Sequence, residues 1–279
     1  MKIKNSTKFI SLPFLAIALT AGTALAGTSA PAPVTPAPAE DVISASLTLA
    51  MNSHFISYGK DVWADGSSMS DLNFNPSLEF AFKLPNNFTL ILGTWWDVTS
   101  KGDDIEGYPG LGGNLYEVDL WAGLAYTYDK FTVGVTYQSW LYGDDAENIV
   151  DVKFSYDCFL SPYLLFHNRV SEGASGGDNG TVAVLGITYK VDAGPVAISF
   201  PVNVAANLTD DYNGEGSDSG YAYTSAGAQF SYPLAFLGET YGEWSLNAGL
   251  TYYWTDNKAI PVNPMNHFLT YNFGLGATF

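Results

Sequence analysis

The apolar residues of this chain recur at every second position, in about twelve separate segments of the sequence. In residues 116–128, YEVDLWAGLAYTY, tyrosine, valine and leucine alternate with residues that include Glu117, Asp119 and Thr127. A period of two is that of an extended strand, whose side chains point alternately to two faces. Since no segment shows the spacings of three and four that a helix needs, the chain is predicted to be all-β.

The predicted strands are about ten residues long, and short and long connections alternate between them. The strands are expected at about 42–57, 72–83, 88–99, 116–128, 131–142, 149–157, 163–171, 181–191, 196–206, 221–232, 244–255 and 269–279. The longer connections are 58–71, 100–114, 143–148, 172–180, 208–220 and 256–265. The stretch 233–243 is long where a short turn is expected. This pattern predicts a transmembrane antiparallel β-barrel of about 12 strands over residues 42–279.

A soluble β-sandwich alternates in the same way and is the competing fold. The aromatic residues, which make up 15% of the chain, favour the barrel, because many are predicted near strand ends. Trp and Tyr are enriched at the two interfaces of a membrane. The residues expected there are Trp95, Trp96, Tyr126, Tyr128, Trp140, Tyr142, Trp244, Tyr252 and Trp254.

The first residues have the features of a secretory signal peptide. Lys2, Lys4 and Lys8 precede an apolar run, and Ala24–Ala26 fits a small-residue cleavage site. Residues 1–26 are therefore predicted to be a signal peptide. Residues 27–41 are rich in proline and alanine and are predicted to be an extended periplasmic linker.

The charge and the cysteine content exclude several classes of site. The net charge of −17 argues against binding nucleic acid, because the phosphate backbone requires basic partners. The single cysteine, Cys158, cannot form a disulfide within the chain. Neither a Cys/His metal pattern nor a phosphate-binding glycine loop before a helix is found, so no metal and no cofactor are predicted.

The alternation also predicts which residues face the interior of the barrel. The predicted pore-lining residues are Glu79, Lys83, Asp97, Glu117, Asp119, Asp151, Lys153, Asp157, Arg169 and Lys190. The carboxylates outnumber the cations, and acidic rings favour the passage of cations. The alternative is an internal network of ion pairs that holds the barrel together, since unpaired buried charge is costly.

The last strand alternates up to Phe279 at the carboxyl end of the chain. This ending resembles the C-terminal signal of Gram-negative outer-membrane proteins, which the barrel-assembly machinery recognises. The resemblance implies that Phe279 is an assembly signal and that the barrel lies in the outer membrane, in contact with the lipid bilayer and lipopolysaccharide.

The domain also resembles the TorF family of outer-membrane proteins. The similar stretches are FISYGKDVW at 55–63, YEVDLWAGLAYTY at 116–128 and VGVTYQSWLYGDD at 133–145. Where that family usually has an Arg-Gly pair after the first strand, this chain has Tyr58-Gly59. The resemblance implies a barrel and assigns no role to a particular residue.

The predicted function is that of a porin-like channel for small cationic or neutral solutes. One alternative is a plugged structural or adhesive barrel without transport. The other is a barrel lipid hydrolase that uses Ser and His at its lipid-facing edge. His54 and His267 lie near predicted strand ends, but no G-x-S-x-G nucleophile motif accompanies them, so no catalytic residue is predicted. The oligomeric state stays open.

Overall fold

The computed structural model describes residues 42–104, 110–143, 145–172 and 176–279, so the predicted signal peptide and linker lie outside the described residues. Fourteen strands follow one another along the described residues. They are β1 (Ile43–Asn52), β2 (Ile56–Ser57), β3 (Lys60–Asp61), β4 (Asn73–Leu84), β5 (Phe88–Val98), β6 (Leu115–Tyr128), β7 (Phe131–Tyr142), β8 (Asp145–Tyr156), β9 (Tyr163–Ser171), β10 (Gly180–Ala193), β11 (Val196–Asn207), β12 (Gly220–Pro233), β13 (Glu243–Thr255) and β14 (His267–Thr278). All except β2 and β3 belong to one closed barrel.

The barrel has twelve antiparallel strands, which confirms the predicted fold class. Strands that are neighbours in the barrel are also neighbours in sequence, and β1 pairs with both β4 and β14. Beyond the end of β14, Phe279 and Ala45 exchange two backbone hydrogen bonds of 2.9 and 3.0 Å. Closure leaves no unpaired strand edge, as a sheet surrounded by hydrocarbon requires.

The outer face of the barrel is apolar. Large aliphatic and aromatic side chains are exposed along it, among them Leu124, Val135, Leu185, Leu250 and Phe273. A monomeric soluble protein rarely exposes so continuous an apolar surface. Together with the closed sheet, this surface is the architecture of an outer-membrane β-barrel. No helix among the described residues is long and apolar enough to cross a bilayer.

The predicted aromatic belt is only partly on the outside. Trp96, Tyr128 and Trp254 are exposed at strand ends, whereas Trp95 and Trp140 point inward, Trp140 with 1% of its surface exposed. Tyr142 is likewise buried. The prediction was wrong for the inward residues because aromatic content alone does not identify a face. Trp95 and Trp96 are consecutive in one strand and must therefore lie on opposite faces.

Two predicted boundaries differ from the structure. The residues assigned to a connection at 143–148 largely belong to β8, which begins at Asp145. Apolar periodicity could not show this, because Asp145 and Glu147 lie on the inner face and Asn148 is also polar. At the other boundary, β1 ends at Asn52 rather than near residue 57.

Residues 53–72 turn back into the barrel, and we call this segment the lumen hairpin. It contains β2 and β3, which pair through Ile56–Asp61 and Ser57–Lys60. Tyr58 and Gly59 form the turn with φ values of 47° and 85°. Gly59 is required there for a second reason, because a Cβ at this position would clash with the ring of Tyr223. The chain thus places the tip of this hairpin against the barrel wall.

The assignment of the outer face to lipid predicts the effect of a charge there. Leu250, in the middle of β13, is 48% exposed. Leu250→Arg is expected to lower the free energy of unfolding by about 2–4 kcal/mol, the cost of arginine at the centre of a bilayer. Ser231→Arg, on the inner face of the neighbouring strand β12, is the control and should cost much less. Urea unfolding of the refolded protein in vesicles measures both, and equal costs would contradict the assignment.

Candidate functional site: the lumen of the barrel

The interior of the barrel has two parts with different exposure to solvent. Along the inner face of β8, Glu147 and Asp151 are buried, whereas Lys153 and Ser155 are half-buried. The same gradient occurs on β10, where Val182 is buried and Lys190 is exposed. Towards the long loops the lumen is therefore filled by protein. Towards the short turns it is an open space, lined by residues such as Lys83, Lys153, Ser155 and Lys190, which we call the vestibule.

The filled part of the lumen is packed like a protein core. Ile56 and Tyr58 of the lumen hairpin belong to a buried apolar cluster that includes Trp140 and Tyr223 of the wall and Ile260 of the last loop. The Tyr58 ring stacks on the His167 ring with 3.7 Å between centroids. In turn, His167 Nδ1 lies 2.7 Å from Asp151 Oδ1. The wall thus holds one side of the hairpin through aromatic contacts.

Polar contacts hold the opposite side of the lumen hairpin. Trp63 Nε1 donates a hydrogen bond of 2.9 Å to Asp97 Oδ2 on β5. Lys101 Nζ forms an ion pair of 2.6 Å with Asp65. The side chain of Asn263 accepts a hydrogen bond from Asp61 N and donates one to the Gly59 carbonyl, both of 2.8 Å. Each of these contacts joins the hairpin to a different loop or strand.

The barrel wall around the hairpin carries five buried carboxylates, which we call the acidic wall. They are Asp97 on β5, Glu117 and Asp119 on β6, and Glu147 and Asp151 on β8. Arg169 on β9 forms an ion pair of 3.2 Å with Glu147. Lys60, at the start of β3, brings a second cation from the hairpin to the same place. Burial lowers the pKa of Lys60, as does Arg169, while Glu147 and Glu117 oppose that shift.

Some buried polar atoms between the hairpin and the acidic wall have no hydrogen-bond partner in the protein. They include Glu117 Oε1, Asp61 Oδ1 and both side-chain amide atoms of Asn73. Buried polar groups are almost always hydrogen-bonded, and ordered water commonly supplies what the protein does not. Atoms of the same kind occur in the aromatic cluster, at the hydroxyls of Tyr212 and Tyr223, so polar atoms without a hydrogen-bond partner in the protein are distributed around the hairpin.

Between the filled part and the vestibule, three long side chains lie across inward-facing glycines. Trp121 lies over Gly93 and donates a hydrogen bond of 3.1 Å to Glu79 Oε2. The register explains this contact, because Glu79, Gly93 and Trp121 occupy one row across β4, β5 and β6. A Cβ on Gly93 would fall within the tryptophan ring. The glycine thus allows the ring to lie against the wall.

The same construction occurs twice more around the barrel. Tyr163 lies over Gly186 and donates a hydrogen bond of 2.7 Å to Asn203 Oδ1. Gln229 lies over Gly249 towards Asn272, whose Nδ2 is 3.5 Å from Gln229 Oε1. In each case a side chain that could project to the barrel axis is held flat on the wall.

The residues predicted to line a pore take three positions. Asp97, Glu117, Asp119, Asp151 and Arg169 are buried beside the lumen hairpin. Glu79, Lys83 and Lys153 are half-buried on inner faces, and Lys190 is exposed at the rim of the vestibule. Asp157 lies beyond the end of the barrel wall, in an exposed turn, because β8 ends at Tyr156.

Three contributors to the site were not predicted from the sequence. Glu147 was assigned to a loop, and Lys60 and Tyr58 to a connection with no role. The alternation of Asp145, Glu147 and Ile149 with the predicted inner residues of the same strand could have revealed Glu147. For Tyr58 and Lys60 the only signal was the Tyr-Gly pair between short extended stretches, which fits a hairpin turn.

The histidines and the acidic residues do not form a recognisable catalytic or metal centre in the described part of the chain. Ser53 Oγ lies 2.8 Å from His54 Nδ1, but both residues are buried beside the lumen hairpin. His267 stacks on Tyr252 with 6.5 Å between ring centroids. Across residues 42–104, 110–143, 145–172 and 176–279, no group of three or more His, Cys, Asp or Glu side chains is placed to hold a metal ion.

No protein-family model and no curated protein matches the chain. Among solved structures, the chain is similar to the KdgM porin in complex with disordered oligogalacturonate, with 10% identity, a TM-score of 0.46, and coverage of 85% of this chain and 99% of that one. It is similar to the NanC porin with 10% identity, a TM-score of 0.47, and coverage of 84% and 98%. It is similar to outer membrane phospholipase A from Escherichia coli with 13% identity, a TM-score of 0.41, and coverage of 84% of this chain and 92% of that one. At such distances these likenesses do not bear on function, which rests on the lumen itself.

Proposed function

We propose that this barrel is a porin-like channel of the outer membrane for small cationic or neutral solutes. The observation that carries the proposal is the acidic wall, whose five carboxylates line the lumen beside the lumen hairpin. A barrel whose interior served only as a core would gain from apolar residues there, since buried charge is costly. Solutes pass along the acidic wall, beside the lumen hairpin.

The strand number sets the orientation of the channel. With an even number of strands, both ends of the barrel domain lie on one side of the membrane, and in this proposal that side is the periplasm. The short turns are then periplasmic and the long loops extracellular, as in other bacterial outer-membrane barrels. The vestibule therefore opens to the periplasm, and the lumen hairpin narrows the extracellular half. Phe279 as an assembly signal and the relation to the TorF family belong to the same proposal.

The acidic wall supplies the selectivity of this channel, and neutral substitutions test it. Glu117→Gln with Asp119→Asn is expected to lower the cation-to-anion permeability ratio by at least about fivefold, since one unit charge at about 4 Å in a water-filled space already has that effect on one ion. Reversal potentials of the refolded protein in a planar bilayer, in a salt gradient, give this ratio. Asp192→Asn, at the exposed end of β10, is the matched control and should change it little.

The same variants separate a channel from a plugged structural barrel. Two buried apolar clusters favour this second function. One is the cluster around Tyr58, and in the other Phe55 of the hairpin packs with Ile91, Trp95 and Trp121 of the wall. In a plugged barrel the carboxylates would serve an ion-pair network, so their removal would lower heat stability. In the channel they are like charges two residues apart on one face, and amides of the same shape should leave heat stability unchanged or raised. No conductance from a folded wild-type barrel would reject the channel.

The proposed function does not include catalysis. A barrel hydrolase would need its Ser and His at the lipid-facing edge, whereas Ser53 and His54 are buried beside the lumen hairpin. We therefore propose that the chain is not an enzyme, and that its partners are lipid, lipopolysaccharide, the assembly machinery and the solutes.

A further inference from the structure

Two opposite charges face each other where the vestibule meets the lumen hairpin. Glu79 on β4 and Lys153 on β8 come from strands four places apart in the barrel, yet their side chains interact electrostatically. Asp151 of the acidic wall, two residues before Lys153 on the same face, interacts with the ammonium group more strongly. Glu79 and Lys153 are both half-buried, in contrast to the fully buried charges of the acidic wall, so both border the vestibule.

The structure holds each of these two charges in place. Trp121, which lies flat over Gly93, donates its hydrogen bond to Glu79 Oε2. Lys153 Nζ lies 4.7 Å from the centroid of the Tyr163 ring, a cation–π contact. The Tyr163 hydroxyl donates a hydrogen bond to Asn203, so the ring beneath the ammonium group is fixed at its far end. A carboxylate and an ammonium that are each positioned by an aromatic side chain form a fixed dipole across the lumen.

We propose that Glu79 and Lys153 form a binding site for small zwitterionic solutes at the inner end of the vestibule. The ammonium group of the solute lies at Glu79 and its carboxylate at Lys153, so that the solute aligns with the dipole. This inference rests on the proposed channel function and adds the substrate class to it. A neutral solute of the same size gains neither contact, and an ion of one sign is attracted by one group and repelled by the other.

Binding and passage are measured separately, so that the failure of this site and the failure of the channel can be told apart. The probe is glycylglycine, a zwitterion, with arabinose as a neutral solute of similar size. Calorimetric titration of the refolded barrel in detergent measures binding without any need for an open pore. Swelling of vesicles that contain the barrel measures the relative rates of entry of the two solutes.

Glycylglycine is expected to bind, and Glu79→Gln or Lys153→Met is expected to weaken its binding by about fivefold, the effect of losing one charge contact in a water-filled space. In vesicles, the same variants should bring the rate of glycylglycine closer to that of arabinose. Asp192→Asn, at the exposed end of β10, and Lys258→Met, in the exposed last loop, remove one charge of each sign and should leave both measurements unchanged.

Three results would overturn the site: no binding of glycylglycine to the wild-type barrel, equal binding of arabinose, or unchanged binding in both charge variants. Trp121→Phe supplies a further check, because it keeps an aromatic ring over Gly93 but removes the donor to Glu79. It should weaken binding less than Glu79→Gln does. Binding without any solute entry would support the site and reject the channel.

Discussion

Replacing Phe55–Val62 by a flexible Gly/Ser linker of equal length is expected to raise the single-channel conductance by about an order of magnitude, because the hairpin fills space that a barrel of twelve strands would otherwise leave open. A barrel of eight strands is filled by its own side chains, whereas one of sixteen encloses a wide channel. This segment carries both strands of the lumen hairpin and the Tyr58-Gly59 turn. It contributes Ile56 and Tyr58 to one buried cluster and Phe55 to the other. Its removal joins the vestibule to the extracellular side across most of the lumen.

The matched control is the same exchange over residues 67–71, in the more exposed part of the same loop. It likewise keeps the loop length and introduces glycine and serine, but it leaves β2, β3 and their contacts in place, so conductance should stay near the wild-type value. Both proteins must still shift in mobility on heating in a denaturing gel, which shows that the barrel has formed. A wild-type conductance in the Phe55–Val62 variant would mean that the hairpin does not narrow the pore.

Arg169→Met is expected to lower the free energy of unfolding by about 3–5 kcal/mol, the cost of leaving a buried partner charge without its counter-ion. Arg169 Nε lies 3.2 Å from Glu147 Oε2, and the two side chains are 5% and 0% exposed. The guanidinium also donates to the backbone carbonyls of Tyr212 and Asp178, at 2.8 and 3.1 Å. The variant therefore loses an ion pair and two contacts that join the wall to the long loops.

Urea unfolding in vesicles measures this cost, with Lys190→Met as the matched control. Lys190 is on the inner phase of the neighbouring strand but is exposed, so the loss of its charge should cost little. The double variant Arg169→Met with Glu147→Met should recover part of the stability, because replacing both members of a buried ion pair is far less costly than removing one. A single variant as stable as wild type would show that Glu147 is compensated in another way.

Periodicity was sufficient to predict the barrel wall, because each strand must place apolar side chains towards lipid and the period of two is strict. It located ten of the twelve barrel strands closely, and a closed barrel requires the last strand to pair with the first, as Leu47 and Ala277 do. The exceptions are the end of β1, which the pattern extends to residue 57, and the beginning of β8. The pattern depends on large apolar residues on one face, and among Asp145 to Asn148 only Ala146 is apolar.

The interior could not be predicted to the same extent. Periodicity assigns Glu79 and Lys153 to the inner face but carries no information on distance between strands that are not neighbours. The position of Tyr58 depends on packing against Ile260 and His167, which lie far away in sequence. A loop that folds into its own barrel is specified by such contacts rather than by a local pattern, so the sequence analysis treated residues 58–71 as an ordinary external connection.

The three inward glycines also determine which substitutions this part of the wall tolerates. Gly93, Gly186 and Gly249 have none of the positive φ values that usually make glycine necessary. Each resists substitution because a longer side chain on a neighbouring strand, Trp121, Tyr163 or Gln229, occupies the space that a Cβ would need. A library of variants should therefore show them to be intolerant of alanine while Trp121, Tyr163 and Gln229 are present, and tolerant once those side chains are shortened. Substituting one of these glycines together with the long side chain that lies over it can thus alter the free cross-section of the barrel at this depth, with no change in its charge.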